Sequence, residues 1–218
     1  MTALLLALLA PALAAPSAAQ IQAALDDNSG WTQVAVKDGV TVYKKTIPGL
    51  DVPALKGVKT VSVDADTLFD VIADINGQPR VNDLLAESAI IKPDGDAFWF
   101  YQVLDSPWPA SDRYWVNKGQ NLRDINGEDG HHKQTWELAP EGSFKQVHAA
   151  VVDKYDAVLT PLNYGSWEVV STGPDQCQLT YRVVSHPGGN VPDGAFAWGS
   201  EKSLPNNLIV FENAAKKK

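Results

Sequence analysis

Apolar and polar residues alternate with period two through most of the middle of this chain, and turn residues cut the alternation into short runs. Trp31 to Val36 and Val40 to Thr46 flank Lys37-Asp38-Gly39, and Asp-Gly between two alternating runs predicts a hairpin. Leu55 to Val63 predicts a third strand, after a loop from Pro48 to Pro53. Further along, the same period predicts strands at Glu87 to Lys92, Ala97 to Leu104, Arg113 to Leu122 and around His131 to Leu138. Three more are predicted around Gln146 to Asp153, at Tyr164 to Thr172 and at Gln176 to Val184.

The period turns helical in three places. Ile21 and Leu25, four apart, predict a short helix from Ser17 to Asp27, ended by Asn28, Ser29 and Gly30. Asp64 supplies an N-cap acceptor for a second, with Asp66 in its first turn and Leu68, Val71, Ile72 and Ile75 on one face. Asn76-Gly77-Gln78-Pro79 stops that helix, and Val81 to Leu85 predicts one further helical turn. The last is long. Asp193 caps it, Ala197, Leu204, Leu208, Phe211 and Ala215 recur at helical spacing toward Lys216, and Pro205 predicts a kink near Glu201.

No repeat, low-complexity linker or composition break divides these elements, so 20–218 reads as one domain. Its class is α+β, with helices at both ends of a long antiparallel sheet that must curl or be covered. A helix lying across the concave face would leave room for a ligand.

The head of the chain is different. Met1 to Ala15 is almost wholly apolar, and Pro16 and Ser17 break the run. It is shorter than the roughly 20 residues that span a bilayer. With small-residue junctions such as Ala12-Leu13-Ala14, it predicts a cleaved signal peptide over 1–19 and a secreted or periplasmic protein, although its n-region lacks Lys and Arg.

Composition narrows the function. Hydrophobic residues at 44% and charged residues at 20% are those of an ordinary globular protein. A net charge of -8 argues against nucleic acid and against constitutive docking on anionic membranes. Lys216-Lys217-Lys218, the one basic cluster, reads as a solvated terminus. Cys177 stands alone, so no internal disulfide is possible, and its place in a strand predicts a buried, inert thiol.

Candidate chemistry is sparse. His131 and His132 are adjacent and point to opposite faces of a strand, and His148 and His186 are isolated, so no metal site is expected. Asp124 to Asp129 glances toward a calcium loop, but Asp129 sits at the required glycine and Thr135 at the bidentate glutamate. There is no Gly-x-Ser-x-Gly, no glycine-rich phosphate loop and no local cysteine signature. Neither catalysis nor a cofactor is expected.

Pro107-Trp108-Pro109-Ala110-Ser111-Asp112-Arg113 joins two aromatic strands and cannot itself be a central strand. A tryptophan held in a surface loop calls for a reason, and gating or transient membrane contact supplies one. This loop, running into Tyr114-Trp115-Val116, resembles the proline-flanked aromatic and Ser-x-Arg-Asp-aromatic-Val stretch of START (StAR-related lipid-transfer) domains, although here the Asp precedes Arg113. Pro187-Gly188-Gly189-Asn190-Val191-Pro192 is similar to the Pro-Gly-Gly-x-Ile/Val-Pro before that family's last helix. Leu204-Pro205-Asn206-Asn207-Leu208 and Gly39-Val40-Thr41-Val42-Tyr43-Lys44 resemble its helix proline and early hairpin. The four matches fall in the family's order from about residue 30 to 215.

The resemblance implies a helix-grip (START/Bet v 1-like) fold, a hydrophobic tunnel and non-catalytic binding and transport of one lipid, sterol or other hydrophobic molecule by a monomer. It implies that the Trp108 loop gates the tunnel and that Arg113 faces into it. Against that stands the plainer reading of Arg113 as a solvated strand-end residue paired with Asp112. The expected ligand-binding residues are Arg113, Trp108, Tyr101, Trp99, Trp115, Trp167, Phe196 and Leu208. The alternative is an enzyme of the same superfold, a cyclase or hydratase acting on a hydrophobic ring compound. A ligand sensor or partner-binding module is a third reading.

Overall fold

The structure, a computed structural model, describes residues 15–106, 108, 110–189 and 193–218, with side chains for all of these except 193–202. The head of the expected signal peptide, 1–14, lies outside the described residues. Helix α1 (Ala18–Asp26) opens on a capping box in which Ser17 and Gln20 satisfy each other's exposed backbone N–H. Strands β1 (Thr32–Lys37) and β2 (Val40–Lys45) form the expected hairpin. Asp38 and Gly39 both take positive φ, 52° and 76°, as such a tight turn requires. Strand β3 (Ala54–Val61) leads to α2 (Ala65–Ala73), capped by Asp64 accepting from the Thr67 N–H at 2.8 Å.

The helical turn expected at Val81 to Leu85 falls earlier, as a 3-10 turn over Ile75–Arg80, where Asp74 Oδ1 accepts from the Gly77 N–H at 3.0 Å. Strands β4 (Leu85–Asp94), β5 (Ala97–Leu104), β6 (Arg113–Leu122) and β7 (His131–Leu138) follow. The turn between β6 and β7 is closed by Asp124 Oδ1 accepting from the Gly130 N–H at 3.1 Å.

The strand expected around Gln146 to Asp153 is instead helix α3 (Lys145–Tyr155). Val147 and Val151 are four apart, and both pack on one cluster with Val103 and Tyr114, while Val152 next to them is exposed. One flank of the segment is buried, which a helix satisfies, and the adjacent β-branched pair Val151-Val152 is compatible with either element. A two-residue strand, β8 (Val158–Leu159), follows unforeseen and pairs in parallel with β6. Strands β9 (Leu162–Gly173) and β10 (Gln176–His186) precede α4 (Asp193–Ala215), which runs on through Pro205.

The sheet has ten strands in the order β1-β2-β3-β10-β9-β7-β6-β5-β4, with β8 beside β6, and every pairing but that of β8 is antiparallel. It curves around α4. Leu204, Leu208 and Phe211 of α4 meet Val40, Val42, Leu55, Trp167 and Leu179 of the sheet and Leu68, Phe69 and Ile72 of α2 in the main core. The approach of α4 to β3 depends on Gly57, where a Cβ would stand 2.4 Å from Leu204 Cδ2 and 3.0 Å from Leu208 Cδ1. On the outer face, α1 covers Ala54 and Val184 with Ile21 and Leu25. Cys177 is buried in the main core, and burial pushes its thiol up to about 11.

Candidate functional site

Between the inner face of the sheet and α4 lies a cavity of about 240 Å³. Strand alternation decides its lining. On β5, Phe100, Gln102 and Leu104 face in, so Trp99, Tyr101 and Val103 face out. Trp115 of β6, Trp136 of β7, Trp167 of β9 and Tyr181 of β10 supply aromatic walls, and Leu204, Asn207 and Phe211 of α4 close it. The Trp167 ring stacks on Tyr181 at 4.0 Å between centroids and meets Phe211 edge-on at 5.0 Å. That stack joins the middle of the sheet to the helix.

The polar groups of the lining are amides and hydroxyls. Among the described residues it holds no Asp, Glu, Lys, Arg, His or Cys. The Trp115 indole N–H donates to Gln102 Oε1 at 2.9 Å, and the Trp136 indole N–H donates to Asn163 Oδ1 at 2.7 Å. Gln102 Nε2 is spent on Gln78 Oε1 at 2.5 Å and Ser88 Oγ at 3.1 Å, and Gln78 Nε2 on the Ile72 carbonyl at 2.8 Å. These bonds hold the 3-10 turn against β4 and β5 and fix the cavity's end wall.

The residues expected at the site divide. Trp115 and Trp167 line the cavity. Trp99 and Tyr101 do not. They stand on the outer face, where Trp99 packs on Phe144 at 5.0 Å and the Tyr101 hydroxyl donates to Glu87 Oε1 at 2.6 Å. Glu87 also accepts from the Tyr155 hydroxyl at 2.7 Å and Lys154 Nζ at 3.0 Å, so Tyr101 helps to anchor α3. Burial pushes the Glu87 carboxyl up, but the hydrogen bonds from Tyr101, Tyr155 and Lys154 outweigh it and hold it below its usual range. Burial and the bond to Glu87 push the Tyr101 hydroxyl up to about 12.

Leu208 is buried against Gly57 rather than on the cavity wall; the wall residues of α4 lie to one side of it. Phe196 belongs to the stretch of α4 whose side chains lie outside the described residues. Trp108 stands clear of the fold with 92% of its surface exposed, and Pro107 and Pro109 beside it lie outside the described residues, as do Asn190, Val191 and Pro192.

Arg113 shares the inner-face register of Trp115, at the rim of the sheet, but its guanidinium does not line the cavity. Nε donates to the Pro187 carbonyl at 2.7 Å and Nη2 to that of Gly188 at 3.4 Å. Nη1 donates to the carbonyls of Ser111 and, at 3.3 Å, Asp112. The residue is buried, so the solvated strand-end reading fails as well. Asp112 turns away, its Oδ1 accepting from the Ser106 N–H at 2.9 Å. Arg113 thus ties the stretch before β6 to the one after β10.

Trp136, Tyr181, Phe100, Gln102 and Asn163 were missed at the sequence level. A polar amide in an otherwise apolar strand was the available signal, since burying one calls for a specific partner.

The comparisons with known proteins bear on the fold. No protein-family model matches the sequence. An uncharacterized protein of Pseudomonas aeruginosa is 25% identical over 180 residues, 83% of this chain and 79% of that one. Human STARD10 superposes with a TM-score of 0.73 at 19% identity, over 94% of this chain and 82% of its own. The STAR-related lipid transfer protein of Xanthomonas axonopodis gives 0.68 at 21% identity, over 86% of this chain and 99% of the crystallised fragment. The Streptomyces aromatase/cyclase Zhui gives 0.54 at 14% identity, over 75% and 93%. With its ten-stranded curved sheet closed around α4 over a cavity, the chain has the helix-grip fold of the START domains.

Proposed function

We propose that this protein binds a single hydrophobic molecule between sheet and α4 and carries it through water without altering it. The observation that supports this most is the lining: aromatic and aliphatic walls with neutral amides and hydroxyls, among the described residues no carboxylate, amine, imidazole or thiol beside the space, and a Tyr181 phenol that burial pushes further from neutral pH. A hydrophobic ligand gains about 0.8 kcal/mol per buried CH₂, so such walls supply affinity with few directional bonds. General acid–base catalysis needs a titratable group within reach of the reacting atom. The likeness to an aromatase/cyclase keeps an enzyme as the second reading. Likeness to the Xanthomonas STAR-related lipid transfer protein favours the carrier.

We further propose that the carrier is exported, on the strength of the apolar head of the chain. One experiment addresses both: native mass spectrometry of the protein recovered from its own host. The expected result is a single hydrophobic ligand released intact and an N-terminus between Ala15 and Ile21. A chain starting at Met1 or Thr2 would remove export, and a chemically altered product of an added hydrophobic ring compound would favour the enzyme.

Trp108 fits a transient membrane contact, since an exposed indole suits the boundary between headgroups and acyl chains. Trp108→Ala should slow lipid transfer between vesicles and leave the melting temperature nearly unchanged. An unchanged transfer rate would leave the exposed ring without a membrane role.

A further inference from the structure

Among the described residues, three polar groups of the cavity lining are left open. Tyr181 lines the cavity between Trp167 and Trp136, and no described residue hydrogen-bonds its hydroxyl. Asn163 is open on one side only. An indole N–H can only donate, so the bond from Trp136 identifies the carboxamide oxygen and leaves Nδ2 as a donor. Asn117 Nδ2 approaches that same oxygen at 3.4 Å, its own Oδ1 stays buried without a partner among the described residues, and no described residue accepts from Asn163 Nδ2. Gln134 likewise spends Nε2 on Asn121 at 2.8 Å and keeps its carbonyl oxygen.

These groups share the wall formed by β7, β9 and β10. Gln134, Trp167 and Tyr181 face one another across three neighbouring strands, and Trp136 links Tyr181, which it stacks on at 6.0 Å, to Asn163. Gln102 and Gln78 are different, because they are consumed by each other and by their neighbours. An unpartnered hydroxyl deep in an apolar site is costly, and a ligand that bonds it recovers that cost. Burial pushes the Tyr181 hydroxyl up, so it remains a neutral donor at physiological pH.

We infer that the ligand is uncharged and that its polar end is a hydroxyl or carbonyl oxygen, received by the Tyr181 hydroxyl and Asn163 Nδ2. A hydroxyl suits both open donors and the open Gln134 oxygen. A phosphate or carboxylate would enter with no cation beside it among the described lining residues, and desolvating an unpaired anion is prohibitive. The cavity of about 240 Å³ lies just below the roughly 300–1,000 Å³ common for small-molecule sites, which suits one chain or a compact ring system. This inference rests on the carrier reading above and narrows it.

The test displaces the neutral dye Nile red with dodecanol, dodecanoate and dodecyl phosphate, one chain with three ends, each below its micellar concentration. Dodecanol should bind at least about tenfold more tightly than either anion. Tyr181→Phe removes only the hydroxyl. It should weaken dodecanol about tenfold, leave the anions unchanged, and leave the melting temperature level or raised, because that hydroxyl bonds none of the described residues. Asn163→Asp keeps the acceptor that Trp136 uses and replaces the donor, so 2-dodecanone, which can only accept, should also lose about tenfold. Anions binding as tightly as dodecanol, or Tyr181→Phe binding dodecanol like wild type, would overturn the inference and leave the carrier reading standing. If neither the dye nor any of the three amphiphiles binds, the carrier reading fails with it.

Discussion

Arg113→Leu is expected to cost the fold about 2–4 kcal/mol. The variant orphans the carbonyls of Pro187 and Gly188, both bonded to the guanidinium in buried surroundings. A buried acceptor left without a donor costs about 1–3 kcal/mol, and two such carbonyls come to about 2–6. Relief from burying the charge offsets part of this. At about 2–4 °C per kcal/mol for a chain of this size, the melting temperature should fall by roughly 5–15 °C. Arg113→Lys should recover only part of it, because one ammonium cannot serve both the Pro187–Gly188 pair and Ser111–Asp112. Thermal melts of the three proteins, beside Nile red titrations, decide the matter. A wild-type melt with lost ligand affinity would return Arg113 to the ligand and overturn its role as a tie between the two segments.

Trp167→Ala is expected to destabilise by about 3–5 kcal/mol, the range for deleting a large buried aromatic. Trp167 is nearly fully buried and touches Tyr181 on one side and Phe211 on the other. Its loss opens the cavity further and removes the wall on which α4 leans. Two readouts follow: a lower melting temperature, and faster amide hydrogen exchange in α4 around Leu204 to Phe211 than in β5 and β6. Trp99→Ala is the control, since that ring is half-buried on the outer face, packs on Phe144 and is not among the residues that line the cavity. Equal losses from the two substitutions would deny Trp167 its place between sheet and helix.

The elements that local chemistry controls were legible. Asp38-Gly39 demanded a tight turn, Asp64 capped α2, and alternation from Arg113 to Leu122 and from His131 to Leu138 matched β6 and β7 at both ends. In each case the deciding interaction lies within a few residues along the chain, so it is written where it acts. The segment around Gln146 was misread because two adjacent valines are equally compatible with a strand and with one flank of a helix. The choice was made by Val103 and Tyr114, more than thirty residues away in sequence.

The site follows the same division. Alternation predicted aromatic strands in a long sheet that must curl or be covered, and the ordered motifs, through the family resemblance they carry, implied a fold that encloses an apolar space. Alternation alone is symmetric between two faces: it places Trp99 and Tyr101 opposite Phe100 and Gln102 but assigns neither pair to the interior. Only the direction in which the sheet curves around α4 broke that symmetry and put Phe100 and Gln102 inside. Arg113 shows the limit most clearly. Its register was readable, but its partners are carbonyls 74 and 75 residues further along the chain, brought to it by β10 and the turn beyond. A sequence specifies which groups must find partners when buried; which partners they find depends on contacts that exist only once distant strands are side by side.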